Sequence, residues 1–239
     1  MTEPIWEEFG DRQKLAETLA DVVAEELSGA LKARGRALLA VSGGTTPPPF
    51  FRALSEKRID WRHVTVTLVD ERFVPTTSER SNARLVTQHL LQNQAARAQF
   101  FGLYNEAASV EEAAEVTESK LAILPMPLDV VVLGMGTDQH TASFFPDADN
   151  IDDILSDTGE RRVLPVHAQS VGEPRLTLSM PVITQARFLA LHIEGAEKKT
   201  ALEAALSTDD RPLPPVRAVM ERADNPAHIY WAPKQDTSS

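Results

Sequence analysis

Short unbroken apolar runs alternate along this chain with longer stretches of helical spacing. The runs are 36–41 (RALLAV), 64–69 (VTVTLV), 129–133 (DVVVL), 187–193 (RFLALHI) and 228–231 (HIYW). Each has the length of a strand, and most are continuously apolar rather than alternating with polar residues, as a strand with one wet face would. They predict strands buried on both faces. Between them, Leu15, Leu19, Val22, Val23, Leu27 and Leu31 recur with the period of one buried helical face over 11–31, and Gly35 ends that segment. Residues 47–54 predict a helix, because prolines are tolerated in a first turn. A further helix is expected over 81–91. Ser109 and Glu112 have capping-box spacing, which predicts a helix running towards Leu124. Another is expected after Gly195, to about Leu206. Segment 208–217 (TDDRPLPPVR) reads as a proline-rich loop and the tail from 232 onwards as frayed. No internal repeat interrupts the pattern.

Strands alternating with helices predict a mainly parallel sheet covered on both faces, within one α/β domain spanning 1–239. Four of the strand ends carry chemistry: Ser42-Gly43-Gly44-Thr45-Thr46, Asp70-Glu71-Arg72, the segment 134–140, and the segment 194–198. In a parallel sheet these ends share one edge, where open α/β sheets bind ligands.

Composition narrows the partners. The 239 residues are 42% hydrophobic and 25% charged, which is a globular balance. The net charge of −11 argues against nucleic acid, which needs a basic stripe. An anionic substrate must therefore be drawn in by a local cluster of Arg and Lys. There is no cysteine, so thiolate chemistry and disulfides are excluded. No run approaches membrane-spanning length. The start, MTEPIWEEFGD, is acidic and lacks a signal-peptide pattern. A cytoplasmic protein is expected, with monomer and homodimer both open.

The segment DVVVLGMGTDQHTASFFP (129–146) concentrates the chemistry. Its apolar run stops at Gly134, Gly136 follows, and then Asp138 and His140. Neutral imidazole, with an unperturbed pKa of about 6.5, accepts a proton at neutral pH, and a carboxylate can orient the ring. A helix is expected to begin there. The same glycines open a dinucleotide-type fingerprint, but the third glycine is absent and the position is far from the first strand, which counts against NAD. The turn Ser42 to Thr46 offers backbone N–H groups suited to phosphate, or is a plain strand-to-helix turn; it lacks the lysine spacing of a Walker loop. Asp70 can bond sugar hydroxyls and Arg72 can bind phosphate or carboxylate, or the pair is a salt-bridged strand terminus. Lys198 falls in the first turn of a predicted helix, where the dipole disfavours a cation. A bound anion would explain it, and so would simple solvation. The remaining histidines show no metal spacing, and His192, inside a predicted buried strand, reads as structural.

Together these elements resemble the 6-phosphogluconolactonase family, within the group that includes the glucosamine-6-phosphate deaminases. The matching segments are SGGTTP (42–47), VDERFVP (69–75), SNARL (81–85), LGMGTDQHTASFFP (133–146), EPRLTLS (173–179) and EGAEK (194–198). The resemblance implies a Rossmann-like α/β fold and hydrolysis of 6-phosphoglucono-δ-lactone to 6-phosphogluconate, the second step of the oxidative pentose phosphate pathway. It implies a small-molecule sugar-phosphate lactone as substrate, with no metal or redox cofactor. By motif position, His140 matches the family's general base. Ser42, Gly43, Gly44, Thr45, Arg175 and Lys198 match phosphate-site positions of the wider group, and Asp70 and Arg72 match active-site positions.

Two rivals share the scaffold. A deaminase or isomerase would use the same phosphate site and histidine, but those enzymes follow the histidine with a segment carrying another acidic residue, and 141–146 has none. A non-catalytic sugar-phosphate-binding protein would keep Arg175 and Lys198 without needing the Asp138–His140 pair. One position departs from the family: Gln139 stands where glycine usually precedes the histidine. If that backbone needs a positive φ, glutamine is strained there.

Overall fold

A computed structural model describes residues 3–208 and 211–234. Seven strands form one parallel sheet: β1 (Ile5–Glu8), β2 (Ala37–Val41), β3 (Val64–Leu68), β5 (Gln99–Phe101), β6 (Val130–Leu133), β9 (Phe188–Glu194) and β10 (His228–Ala232). Their order is β1-β10-β9-β6-β2-β3-β5. Every residue of β2, β6 and β9 is buried. Successive side chains point to opposite faces, so both faces of the central sheet are covered, as the unbroken apolar runs require.

Helix α1 (Arg12–Arg34) buries Leu15, Leu19, Val23 and Leu27 completely, while Val22 and Leu31 on its flank are half-buried. Asp11 caps its start by accepting from the Lys14 N–H at 2.8 Å, and Gly35 ends it at φ 72°. It packs against α2 (Pro48–Ser55) and the sheet. Helix α3 (Asn82–His89) starts at the Ser81 cap, and α4 (Val110–Leu121) at the Ser109 cap; α4 ends a turn short of Leu124.

Four features depart from the sequence reading. β1 and β5 occupy the two edges, where short strands with few apolar residues suffice. A second, antiparallel sheet orders β4 (Asp70–Arg72), β8 (Arg175–Leu178) and β7 (Val163–Val166), with α4 packed on it. The Asp-Glu-Arg segment is thus a strand of its own rather than the end of β3. The short helices α5 (Ile151–Ile154) and α6 (Met180–Thr184) flank β7 and β8. After α7 (Ala196–Ser207), the expected loop gives way to α8 (Pro215–Arg222), where proline opens the helix. The tail expected from 232 begins on the last residue of β10, and 235–239 lie outside the described residues.

The chain steps from β2 to β3 in one direction and from β6 to β9 and β10 in the other. The crevice between β2 and β6 is therefore the topological switch point. Two loops emerge there, 42–47 and 134–140, and one hydrogen bond ties them: the Gly134 N–H donates to Ser42 Oγ at 3.0 Å. Among the described residues, no helix is long and apolar enough to cross a membrane.

Candidate active site

A cavity of about 350 Å³ opens at this switch point. Ser42, Gly43, Gly44, Thr45, Asp70, Arg72, His140, Arg175 and Lys198 all line it. Of the predicted catalytic and substrate-binding residues, Asp138 alone stands outside the lining, hydrogen-bonded to His140. Asn82, Phe145 and His192 also line it and were not anticipated there.

Asp138 Oδ1 lies 2.6 Å from His140 Nδ1. A carboxylate acceptor places the proton on Nδ1 and leaves Nε2 as the ring's free acceptor. Burial works against ionisation of Asp138, but the hydrogen bond and charge of His140 outweigh it, and the carboxyl lies below its ordinary value. No helix starts here. The segment closes on itself instead: Gln139 N–H donates to Gly136 O, and Gly136 N–H to His140 O, each at 3.0 Å. Gln139 and Ala142 take positive φ, 68° and 49°, which breaks any helical path. Gly136 is obligatory for the pair: a Cβ there would stand 2.3 Å from Asp138 Oδ1 and 2.4 Å from His140 Nδ1.

Gln139 does more than fill its place. Its side-chain amide donates to Ala201 O on α7 at 3.1 Å, and its own carbonyl accepts from Val216 N on α8 at 3.1 Å. The residue beside His140 is thereby clasped to the helix that carries Lys198.

On the other wall, Glu71 is fully buried and organises the turn into α3. It accepts from Arg72 N, Asn82 N and Ala83 N, each at 2.8 Å, and from Ser81 Oγ at 3.0 Å. Burial pushes its carboxyl up, against the pull of those four donors. Asp70 is buried, accepts from Ser143 Oγ at 2.6 Å, and reaches the cavity. Asn82 donates to Asp70 O at 2.9 Å and lies so close to Gly43 that a Cβ there would overlap its amide.

The cations are three. Arg175 is 7% exposed, lies 3.4 Å from Glu173, and sits over the Phe145 ring at 5.7 Å; that ring in turn lies 4.5 Å from His140. Burial lowers Arg175 to about 10, with Asp70 opposing and Arg72 and Arg80 adding to the fall. Arg72 donates to Arg80 O. The Nε atoms of both Arg72 and Arg175 are buried without a hydrogen bond. Lys198 makes no hydrogen bond or ion pair among the described residues, and burial lowers its pKa despite Glu194 and Glu197. In the same cavity lining, the N–H groups of Gly43, Gly44, Thr45 and Thr46 donate to nothing within the described residues. Consecutive free N–H groups in one cavity with a lysine suit a phosphate. Among the described residues, no group of three or more His, Asp or Glu side chains is placed to hold a metal ion.

Residues 10–231 match the family model described as glucosamine-6-phosphate isomerases/6-phosphogluconolactonase. A 6-phosphogluconolactonase of Mesorhizobium japonicum is 55% identical, covering 95% of each chain. One of Pseudomonas aeruginosa is 47% identical, over 94% of this chain and 93% of the other. The crystal structure of a 6-phosphogluconolactonase from Shewanella baltica superposes with a TM-score of 0.92 at 39% identity, covering 97% of this chain and 98% of that one. With its parallel sheet, its switch-point cavity and this similarity along almost its whole length, the chain belongs to the glucosamine-6-phosphate isomerase/6-phosphogluconolactonase family.

Proposed function

We propose that this protein hydrolyses 6-phosphoglucono-δ-lactone to 6-phosphogluconate. The observation that carries the reading is the Asp138–His140 pair at the rim of a cavity that also holds a phosphate-type cradle. Asp138 fixes the ring with Nε2 unprotonated. His140 takes a proton from a water over the lactone carbonyl, and the water oxygen bonds to that carbon. The tetrahedral oxyanion that forms is stabilised by Arg72 and by backbone N–H groups near Gly43 and Gly44. As the ring C–O bond breaks, the imidazolium returns its proton to the leaving oxygen. The remaining free N–H groups of the glycine turn, with Lys198 and Arg175, hold the distant phosphate, and that binding positions the carbonyl. Asp70 meets the sugar hydroxyls. These steps use only groups of this chain and water. A cytoplasmic setting accompanies the reading, since sugar phosphates are too charged to leave that compartment unaided.

The family also includes isomerases. The lactonase relatives support the hydrolytic branch, and so does segment 141–146, which carries no acidic side chain.

The test is hydrolysis of freshly generated 6-phosphoglucono-δ-lactone, corrected for spontaneous opening, with glucosamine 6-phosphate in parallel. Rapid lactone opening that collapses in His140→Ala is the expected result. Ammonia release from the amino sugar, with no lactone opening, would move the chain to the other branch. Saturable binding of 6-phosphogluconate without turnover would leave a binding protein.

A further inference from the structure

One buried titratable cluster has no part in the mechanism above. His192 and Glu194 alternate along β9, so their side chains share a face of the sheet. His192 is 2% exposed, yet it borders the cavity together with Lys198 and Thr46. Neither ring nitrogen has a hydrogen bond. Glu194 Oε1 stands 3.7 Å from Nε2, beyond hydrogen-bonding range, and has no hydrogen-bond partner of its own. Its other oxygen is 3.4 Å from Arg12 Nε, which is likewise unbonded. The Phe50 ring meets the imidazole edge-on at 6.1 Å.

A structural histidine in a core spends its N–H on a neighbour, and buried side-chain polar atoms in native proteins are nearly all bonded. Here both nitrogens are idle and closed to solvent, and the residue borders the substrate cavity, so a turn of the ring is what presents an N–H to a ligand there. Burial holds His192 below its ordinary pKa, with Lys198 and Arg12 adding to the effect and Glu194 opposing it. The ring is therefore a neutral donor at neutral pH. β9 runs directly into the turn that carries Lys198, so both side chains reach the same end of the cavity.

We propose that His192 is a second phosphate-binding side chain, donating a ring N–H to the substrate's phosphate beside Lys198, with Glu194 and Arg12 orienting it from behind. The proposal deepens the lactonase reading and rests on it for the identity of the phosphate's carrier. An imidazole donor at that end would separate phosphorylated from unphosphorylated lactones more sharply than a lysine charge alone, because a neutral donor left facing no acceptor loses a bond outright.

The full chain labelled with ¹⁵N-histidine tests this by long-range ¹H–¹⁵N NMR, with inorganic phosphate, 6-phosphogluconate and gluconate as probes. The His192 signals are assigned from their absence in His192→Phe, whose ring fills the same space. If that variant does not fold, Glu194→Gln assigns them by the shift it causes. The expected result is that phosphate and 6-phosphogluconate move the His192 ring nitrogens and gluconate does not. In parallel, His192→Phe raises the KM for the lactone about tenfold, the loss falling on KM rather than kcat. Ring signals that stay in place while 6-phosphogluconate saturates the protein would overturn the proposal, as would an unchanged KM in a folded His192→Phe. Phosphate-dependent shifts in a protein that opens no lactone would support the phosphate contact while removing the lactonase reading.

Discussion

Arg72 and Arg175 are register partners across the β4–β8 ladder, so two guanidinium side chains stand opposite each other on one wall of the cavity. Like charges directly opposite are destabilising in a sheet. Both Nε atoms are also buried without a hydrogen bond. The folded chain thus holds two guanidinium groups where an anion lying between them would relieve their repulsion.

Arg175→Met tests that relationship. Losing a hydrogen bond to a charged group costs about 1.5–3 kcal/mol, so kcat/KM should fall roughly tenfold or more, chiefly through KM. The empty protein should lose Tm, because Glu173 Oε1 and Asp70 are left without their neighbouring cation, and the loss is limited by the pairing that Glu173 keeps with Arg80. Thermal melts with and without 6-phosphogluconate would show the ligand's stabilisation shrinking in the variant. A wild-type KM would take Arg175 out of the substrate site.

Asp138→Asn and Gly136→Ala probe the pair from two sides. Asparagine keeps the shape but frees His140 to adopt the wrong tautomer, and general-base catalysis is worth about 10²–10⁴-fold, so kcat should drop within that range while KM changes little. In Gly136→Ala the new methyl collides with both side chains of the pair. A comparable loss of kcat is expected there with the ionisable groups intact. Steady-state kinetics of the two variants decide it, and near-normal kcat in both would show that the pair does not act as a unit.

Lys198 gives a pH prediction with two opposite signs. Burial lowers its pKa from the ordinary lysine value, so in the alkaline range the native state releases its proton before the unfolded chain does. The unfolded chain then binds more protons, and the empty protein gains stability as pH rises towards 10.5. Phosphate binding moves the other way, since neutral lysine is a poor anion partner. KM should therefore climb with alkalinity below the ordinary lysine range, and Lys198→Arg should push that climb to higher pH. A KM profile identical in the two proteins would separate Lys198 from the phosphate.

Gln139→Gly sets backbone relief against a lost clasp. Glutamine at φ 68° carries strain that glycine does not, of about 1–2 kcal/mol. The side-chain bond to Ala201 O is worth roughly 1 kcal/mol in return. The two nearly cancel, so Tm should move little and the lactonase rate should stay within about tenfold, a barrier change of roughly 1.4 kcal/mol. A much larger fall in rate at unchanged Tm would mean that the tie from the His140 loop to α7 positions the histidine.

Much of this was written in the order of apolar and polar residues. β2, β3, β6, β9 and β10 were legible because strands covered on both faces are dominated by apolar and β-branched residues. The edge strands β1 and β5 were not, since Ile5–Glu8 and Gln99–Phe101 bury too little to show a run. The small sheet was hidden for another reason: β4 is Asp-Glu-Arg and β7 contains Pro165, so neither resembles a strand until its partner is known. In the site, Gly136 and the Asp138–His140 spacing were readable because their contacts are local. Asn82 and His192 were not, because their place depends on sheet order. His192 in particular reads as core from its neighbours along the chain, and only the position of β9 beside β6 turns it towards the cavity.

The hydrogen bond from Gly134 to Ser42 joins residues 92 positions apart. No local interaction can bring β2 and β6 together; their pairing must wait for the closure of a long loop, which is the slow part of folding for a sheet of this kind. The helices on either side can begin to form without it. A half-folded chain therefore carries the glycine turn and the histidine apart, because the two meet only when the sheet's middle closes.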